Sequence, residues 1–230
     1  MFSDPKSLGL ALLGGVIPAL IWLWFWLRED QKKDEPNAVL FLCFIMGIIS
    51  IFFVLPVQKF IKEVVSSNEL QIILWAGTEE IFKYLAMIVI LYKTKYVDEP
   101  IDWAIYMITA ALGFAAFENA LFLLKPIILD QTTVGFITGH LRFLGATLLH
   151  TVTSGIIGIA MGLSYYLDDF RKKTYVIMGI IIATTLHSLF NFFIMKNNGS
   201  DFFKVFGFLW VVTIIIMLLF EKLRRMSGQN

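Results

Sequence analysis

The sequence predicts an all-α, polytopic transmembrane bundle of about seven spans, and three observations predict it. Of 230 residues, 58% are hydrophobic and only 16% are charged. The apolar residues gather into seven blocks, each near the roughly 20 residues that a helix needs to cross a bilayer. Short polar segments join the blocks and leave no stretch for a separate soluble domain, so residues 1–230 read as one integral-membrane domain. The formal net charge of +1 gives no footprint for nucleic acid, and the lone Cys43 excludes an internal disulfide.

In chain order the spans read 8–27, 38–57, 69–92, 102–124, 140–167, 174–195 and 202–221. The first has only Lys6 before it and is too long and too rich in tryptophan for a cleavable signal peptide, so it reads as a retained span. Trp22, Trp24 and Trp26 crowd its end, as aromatic side chains do at a membrane interface. Pro5, Pro36, Pro56, Pro100 and Pro126 fall at or outside span ends and only Pro18 lies within one, so the charge-bearing helices are expected to be continuous. The connection 125–139 begins apolar enough for a re-entrant or lid segment, and Asn198-Gly199-Ser200 matches a glycosylation acceptor. Alternate connections hold eleven and six Lys and Arg residues, which predicts an outside N-terminus and a cytoplasmic C-terminus.

The third span carries Glu79, Glu80 and Lys83 in an otherwise apolar run. A charge at that depth costs about 2.5 kcal/mol or more, so it persists where it pairs, meets water or performs chemistry. Lys83 is four residues from Glu79 and three from Glu80, within reach of either carboxylate along a helix. Glu118 and Asn119 lie in the fourth span, Arg142 and His150 in the fifth, and His187 and Asn191 in the sixth. Counted from the span ends at 1.5 Å per residue, Glu79, Glu80, Glu118, His150 and His187 all fall roughly 10–15 Å below the same outer surface. Four antiparallel helices thus place their ionisable groups in one layer. Gly158 and Gly162 form a small-residue packing face, and Asp102 is expected to be interfacial and solvated, or a hinge anchor.

Such a layer suits hydrolysis. A glutamate with histidine help would activate water, while His187 and Asn191, one helical turn apart, would hold an attacked carbonyl oxygen. The same groups suit a metal, since histidines with carboxylates bind zinc, and metal and metal-free chemistry both stay open. There is no His-Glu-x-x-His helix, and Ser154 shares a helix with His150, a poor basis for a serine dyad.

Taken together, Glu79-Glu80-x-x-Lys83, Asp98-Glu99-Pro100-x-Asp102, Gly113-Phe114-Ala115-x-Phe117-Glu118-Asn119, Arg142 eight residues before His150, and His187-x-x-x-Asn191 resemble the PrsW family of intramembrane proteases. The resemblance covers about residues 75–195 and implies a protease core at about 69–195, with 8–27, 38–57 and 202–221 peripheral. It implies Glu79 or Glu80 as base or ligand, Glu118 and His150 as partners, and His187 with Asn191 as carbonyl stabilisers or ligand, with Lys83, Asn119 and Arg142 in support. If a metal is present, Glu79, Glu80, Glu118, His150 and His187 are its candidate ligands and Zn2+ the candidate ion. The implied substrate is a single-span, anti-sigma-factor-like membrane protein, cut on its extracytoplasmic side in a bacterial plasma membrane as the first step of regulated proteolysis. The related prenyl endopeptidases carry a histidine where this chain has Glu118. Two rival readings use the same layer: a proton- or ion-coupled transporter, and a non-catalytic membrane scaffold. The absence of an internal repeat or of proline-broken helices counts against the transporter.

Overall fold

The computed structural model describes residues 5–28, 35–92, 94–129, 131, 142–196 and 202–226. Within them the chain forms seven long helices: α1 Pro5–Leu27, α2 Asn37–Val64, α3 Asn68–Leu91, α4 Asp102–Ile128, α5 Thr147–Leu163, α6 Asp169–Lys196 and α7 Phe202–Met226. A single π-helical stretch, Arg142–Ala146, leads into α5. All but α3 are apolar enough over their length to cross a membrane, and α3 falls short because Glu69, Glu79, Glu80 and Lys83 lie in it. Apolar side chains such as Phe41, Phe52, Val89, Ile177 and Leu218 point outward, as a bilayer solvent requires.

Several helices outrun the spans read from the sequence. α2 continues through Pro56 and α4 through Pro126, while α6 begins at Asp169, where the Asp168 side chain accepts the Arg171 backbone N–H. Hydropathy marks where lipid ends, whereas the helix continues into water while its own hydrogen bonds last. Residues 126–128 therefore extend α4 rather than open a re-entrant loop. Residues 130 and 132–139 of that connection, His140 and the Asn198-Gly199-Ser200 motif lie outside the described residues.

The centre of the bundle is α4, which packs against α1, α2 and α5. Glycines make this possible. A Cβ on Gly113 would lie 2.0 Å from the Phe44 carbonyl oxygen, and one on Gly47 would lie 2.0 Å from that of Ala110, so α2 and α4 meet backbone to backbone. Gly158 and Gly162 likewise face Ala104 and the Pro100 carbonyl, the packing face expected of that pair. We expect Gly113→Ala to force α2 and α4 apart and to cost about 1–3 kcal/mol, read as a lowered thermal unfolding midpoint in detergent. An unchanged midpoint would show that the contact yields freely.

Asp102 is buried rather than solvated. Its Oδ2 accepts the backbone N–H groups of Asp98 at 2.8 Å and Glu99 at 2.7 Å, which anchors the turn before α4. Tyr106 donates to the Glu35 carboxylate one turn further in. This polar anchor is some 24 Å along α4 from Glu118, at the opposite end of the helix.

Candidate active site

α3 starts at Ser67, whose hydroxyl accepts the Leu70 N–H at 3.2 Å, with Glu69 in its first turn. Its buried residues are Ile72, Ala76, Glu79, Glu80, Lys83, Ala86, Met87 and Leu91, a stripe with three- and four-residue steps. All three intramembrane charges therefore sit on the face that packs inward. Each needs a partner there.

Lys83 is fully buried and donates to Glu80 Oε1 at 2.6 Å and to His150 Nδ1 at 3.1 Å. Its ammonium also lies 5.1 Å from the centre of the Phe114 ring. Glu80 is saturated: Oε1 also accepts His187 Nδ1 at 2.8 Å, Thr153 Oγ1 is 3.0 Å from it, and Ser154 donates to Oε2 at 2.7 Å. One carboxylate thus joins α3, α5 and α6.

His150 Nε2 lies 3.0 Å from Glu118 Oε2, and Arg142 donates to that same oxygen through one guanidinium nitrogen. Arg142 Nε donates to Asn119 Oδ1 at 2.6 Å, Asn119 Nδ2 donates to Thr147 Oγ1 at 2.8 Å, and Thr147 donates to the Arg142 carbonyl at 3.1 Å. The ring of bonds closes around the π-helical turn. Arg142 opens that turn, and its side chain reaches back to Glu118 and Asn119 of α4.

Glu79 differs from its neighbour. Its Oε1 accepts Gln58 Nε2 from α2 at 2.8 Å, while its Oε2 is buried without a hydrogen-bond partner. That orphaned oxygen is 3.6 Å from His187 Nε2 and 4.0 Å from His150 Nδ1. These separations are too long for hydrogen bonds and suit ligands around one cation, whose bonds of about 2.0–2.2 Å place donor atoms more than 3 Å apart. Glu79, His150 and His187 offer ligand atoms all within 4.8 Å of one another. Beyond them, Glu80 and Glu118 take the N–H groups of the two imidazoles, the arrangement that fixes tautomer and ring direction at metal-binding histidines. The donor set fits a divalent metal. His150 Nδ1 would exchange the Lys83 ammonium for it, while Lys83 keeps Glu80.

The residues picked from sequence in α3 to α6 thus converge in one cluster, with the exception of Asn191. Among the described residues no hydrogen bond links Asn191 to the rest, and His187 turns both ring nitrogens toward glutamates. Thr147, Thr153, Ser154 and Gln58 take part without having been assigned a role. Thr153 and Ser154, three and four residues after His150, were legible by helical spacing, whereas Gln58 stands at the end of an apolar block with no pattern to mark it.

Residues 35–220 match the family described as PrsW family intramembrane metalloprotease. A protein named Protease PrsW from Halalkalibacterium halodurans is 26% identical over 225 residues, covering 93% of this chain and 98% of its own. The protein of that name from Bacillus subtilis is 23% identical over 201 residues, 85% of this chain and 88% of its own. That from Clostridioides difficile is 29% identical over 203 residues, 82% of this chain and 80% of its own. No solved structure matches.

Proposed function

The chain belongs to the PrsW family of intramembrane metalloproteases, and we propose that Glu79, His150 and His187 hold a zinc ion at its hydrolytic centre. The substrate in this reading is a single-span, anti-sigma-factor-like protein in a bacterial plasma membrane. The cut falls near the outer side, with the N-terminus outside and the C-terminus cytoplasmic, as the Lys and Arg bias supports. The observation that carries the assignment is the orphaned, buried Glu79 Oε2 facing two histidine nitrogens. A buried acceptor without a partner is costly, and a cation removes that cost.

When bound, the metal would polarise the scissile carbonyl and make water nucleophilic near neutral pH. The chain supplies the remainder. Glu80 and Glu118 hold the imidazole N–H protons at His187 Nδ1 and His150 Nε2, leaving His187 Nε2 and His150 Nδ1 as ligands. Lys83 balances the charge of Glu80 where no water reaches either group. Glu118, whose side chain is 21% exposed, is the carboxylate best placed to exchange a proton with water arriving from the outer side. Its Oε2 is engaged by Arg142 and His150, which leaves Oε1 as the oxygen that meets that water. Asn191 stands outside the group of ligand atoms and is left as a donor for the substrate carbonyl.

The test is cleavage of a panel of single-span membrane proteins by the purified protein in liposomes, before and after chelation and after Zn2+ is restored. Cleavage lost on chelation and regained with Zn2+ is the expected result. Cleavage that survives complete metal removal would sink the zinc assignment and favour direct activation of water by Glu79.

A further inference from the structure

We propose that Gln58 of α2 is a positioning residue for the hydrolytic centre, setting which oxygen of Glu79 faces the histidines. The inference rests on the metal-centred reading above.

A glutamate carboxylate turns almost freely about its terminal torsion. In this chain the only bond that fixes the plane of Glu79, among the described residues, is the one from Gln58 Nε2 to Oε1 at 2.8 Å. With Oε1 held, Oε2 is the oxygen that lies between His187 Nε2 and His150 Nδ1. Without it, the carboxylate is free to turn toward the buried Lys83 ammonium.

The chemical type of the holder matters. A lysine or arginine at this position would pair with Glu79 and cancel the charge that a cation needs, whereas an amide N–H fixes direction and leaves the charge in place. Gln58 is itself held. Trp75, one turn before Glu79 on α3, donates its indole N–H to the Gln58 carbonyl at 3.1 Å. Nearby, Gln71 Nε2 donates to the Val65 carbonyl at 2.6 Å and secures the turn between α2 and α3. The spacing of the two helices is therefore fixed beside the carboxylate. Gln58 is half-buried, so its replacement leaves no large hole.

The experiment uses the full chain in detergent micelles with Co2+ as the probe. Wild type is compared with Gln58→Met, which keeps the length and loses the donor, and with Trp75→Phe, which removes the bond to the Gln58 backbone. Thermal unfolding of the metal-free proteins serves as the control for folding. Gln58→Met is expected to weaken Co2+ binding by about 10–100-fold and to alter the visible absorption of the bound ion, with metal-free unfolding unchanged. Trp75→Phe is expected to shift both in the same direction by less. Wild-type affinity and an unaltered spectrum in Gln58→Met would overturn the proposal. Should wild type bind no Co2+, the zinc assignment fails separately, and cleavage then decides on Gln58: a lower kcat at unchanged KM upholds it and an unchanged kcat overturns it.

Discussion

Glu79→Gln is expected to abolish cleavage, by about 10³-fold or more, while leaving the protein as stable as wild type or more so. The side chain is 8% exposed and its Oε2 has no hydrogen-bond partner, so its charge does little for the fold and is left for chemistry. Glutamine keeps the shape and loses the anionic ligand. Glu80→Gln should behave in the opposite sense, because Glu80 receives Lys83, His187 and Ser154 and has no oxygen to spare. Its loss lowers stability first and activity through the direction of His187. Cleavage in liposomes and thermal unfolding in detergent, run on both variants, separate the two roles. Full activity in Glu79→Gln with loss in Glu80→Gln would reverse the assignment.

Lys83→Met is expected to destabilise the protein by about 3–5 kcal/mol, the cost of leaving a buried carboxylate without its partner. Lys83 and Glu80 are both 0% exposed, so no water can take the place of the lost ammonium. The double variant Lys83→Met with Glu80→Gln should recover a large part of that loss, because neither member then remains as an unpaired charge. Unfolding midpoints of the two single variants and the double variant test this directly. Additive losses would mean that the pair acts as two independent side chains.

Much of this arrangement was legible before any coordinates. The spans followed from apolar length, and the common depth of Glu79, Glu80, Glu118, His150 and His187 followed from a fixed rise per residue. Burial of polar groups is so costly in lipid that their positions alone pointed to one cluster. The division of labour between Glu79 and Glu80 was not legible, since adjacent residues differ only in which neighbours they meet. Of the two readings of Asp102, solvated or an anchor, the sequence could not choose for a related reason: its partners are backbone N–H groups of its own turn, which composition does not reveal. Gln58 and the π-helical turn at Arg142 escaped because each is defined by packing between distant segments. The backbone contact of Gly47 and Gly113 is likewise a property of the pair of helices, not of either sequence run.

The charges of α3 also bear on how the chain is made. Three ionised groups near the middle of a helix oppose its transfer from the translocon into lipid by roughly 7–10 kcal/mol, and its apolar residues return about 0.3–0.6 kcal/mol each. α3 alone has no margin to partition. Only Val65, Ser66 and Ser67 separate it from α2, the span with the highest mean hydropathy of the six at 3.0. α2 and α3 thus form a helical hairpin in which the apolar leg can offset the charges of the other. The three charges that draw the bundle together around α3 are thus the ones that leave it dependent on its neighbours for a place in the membrane.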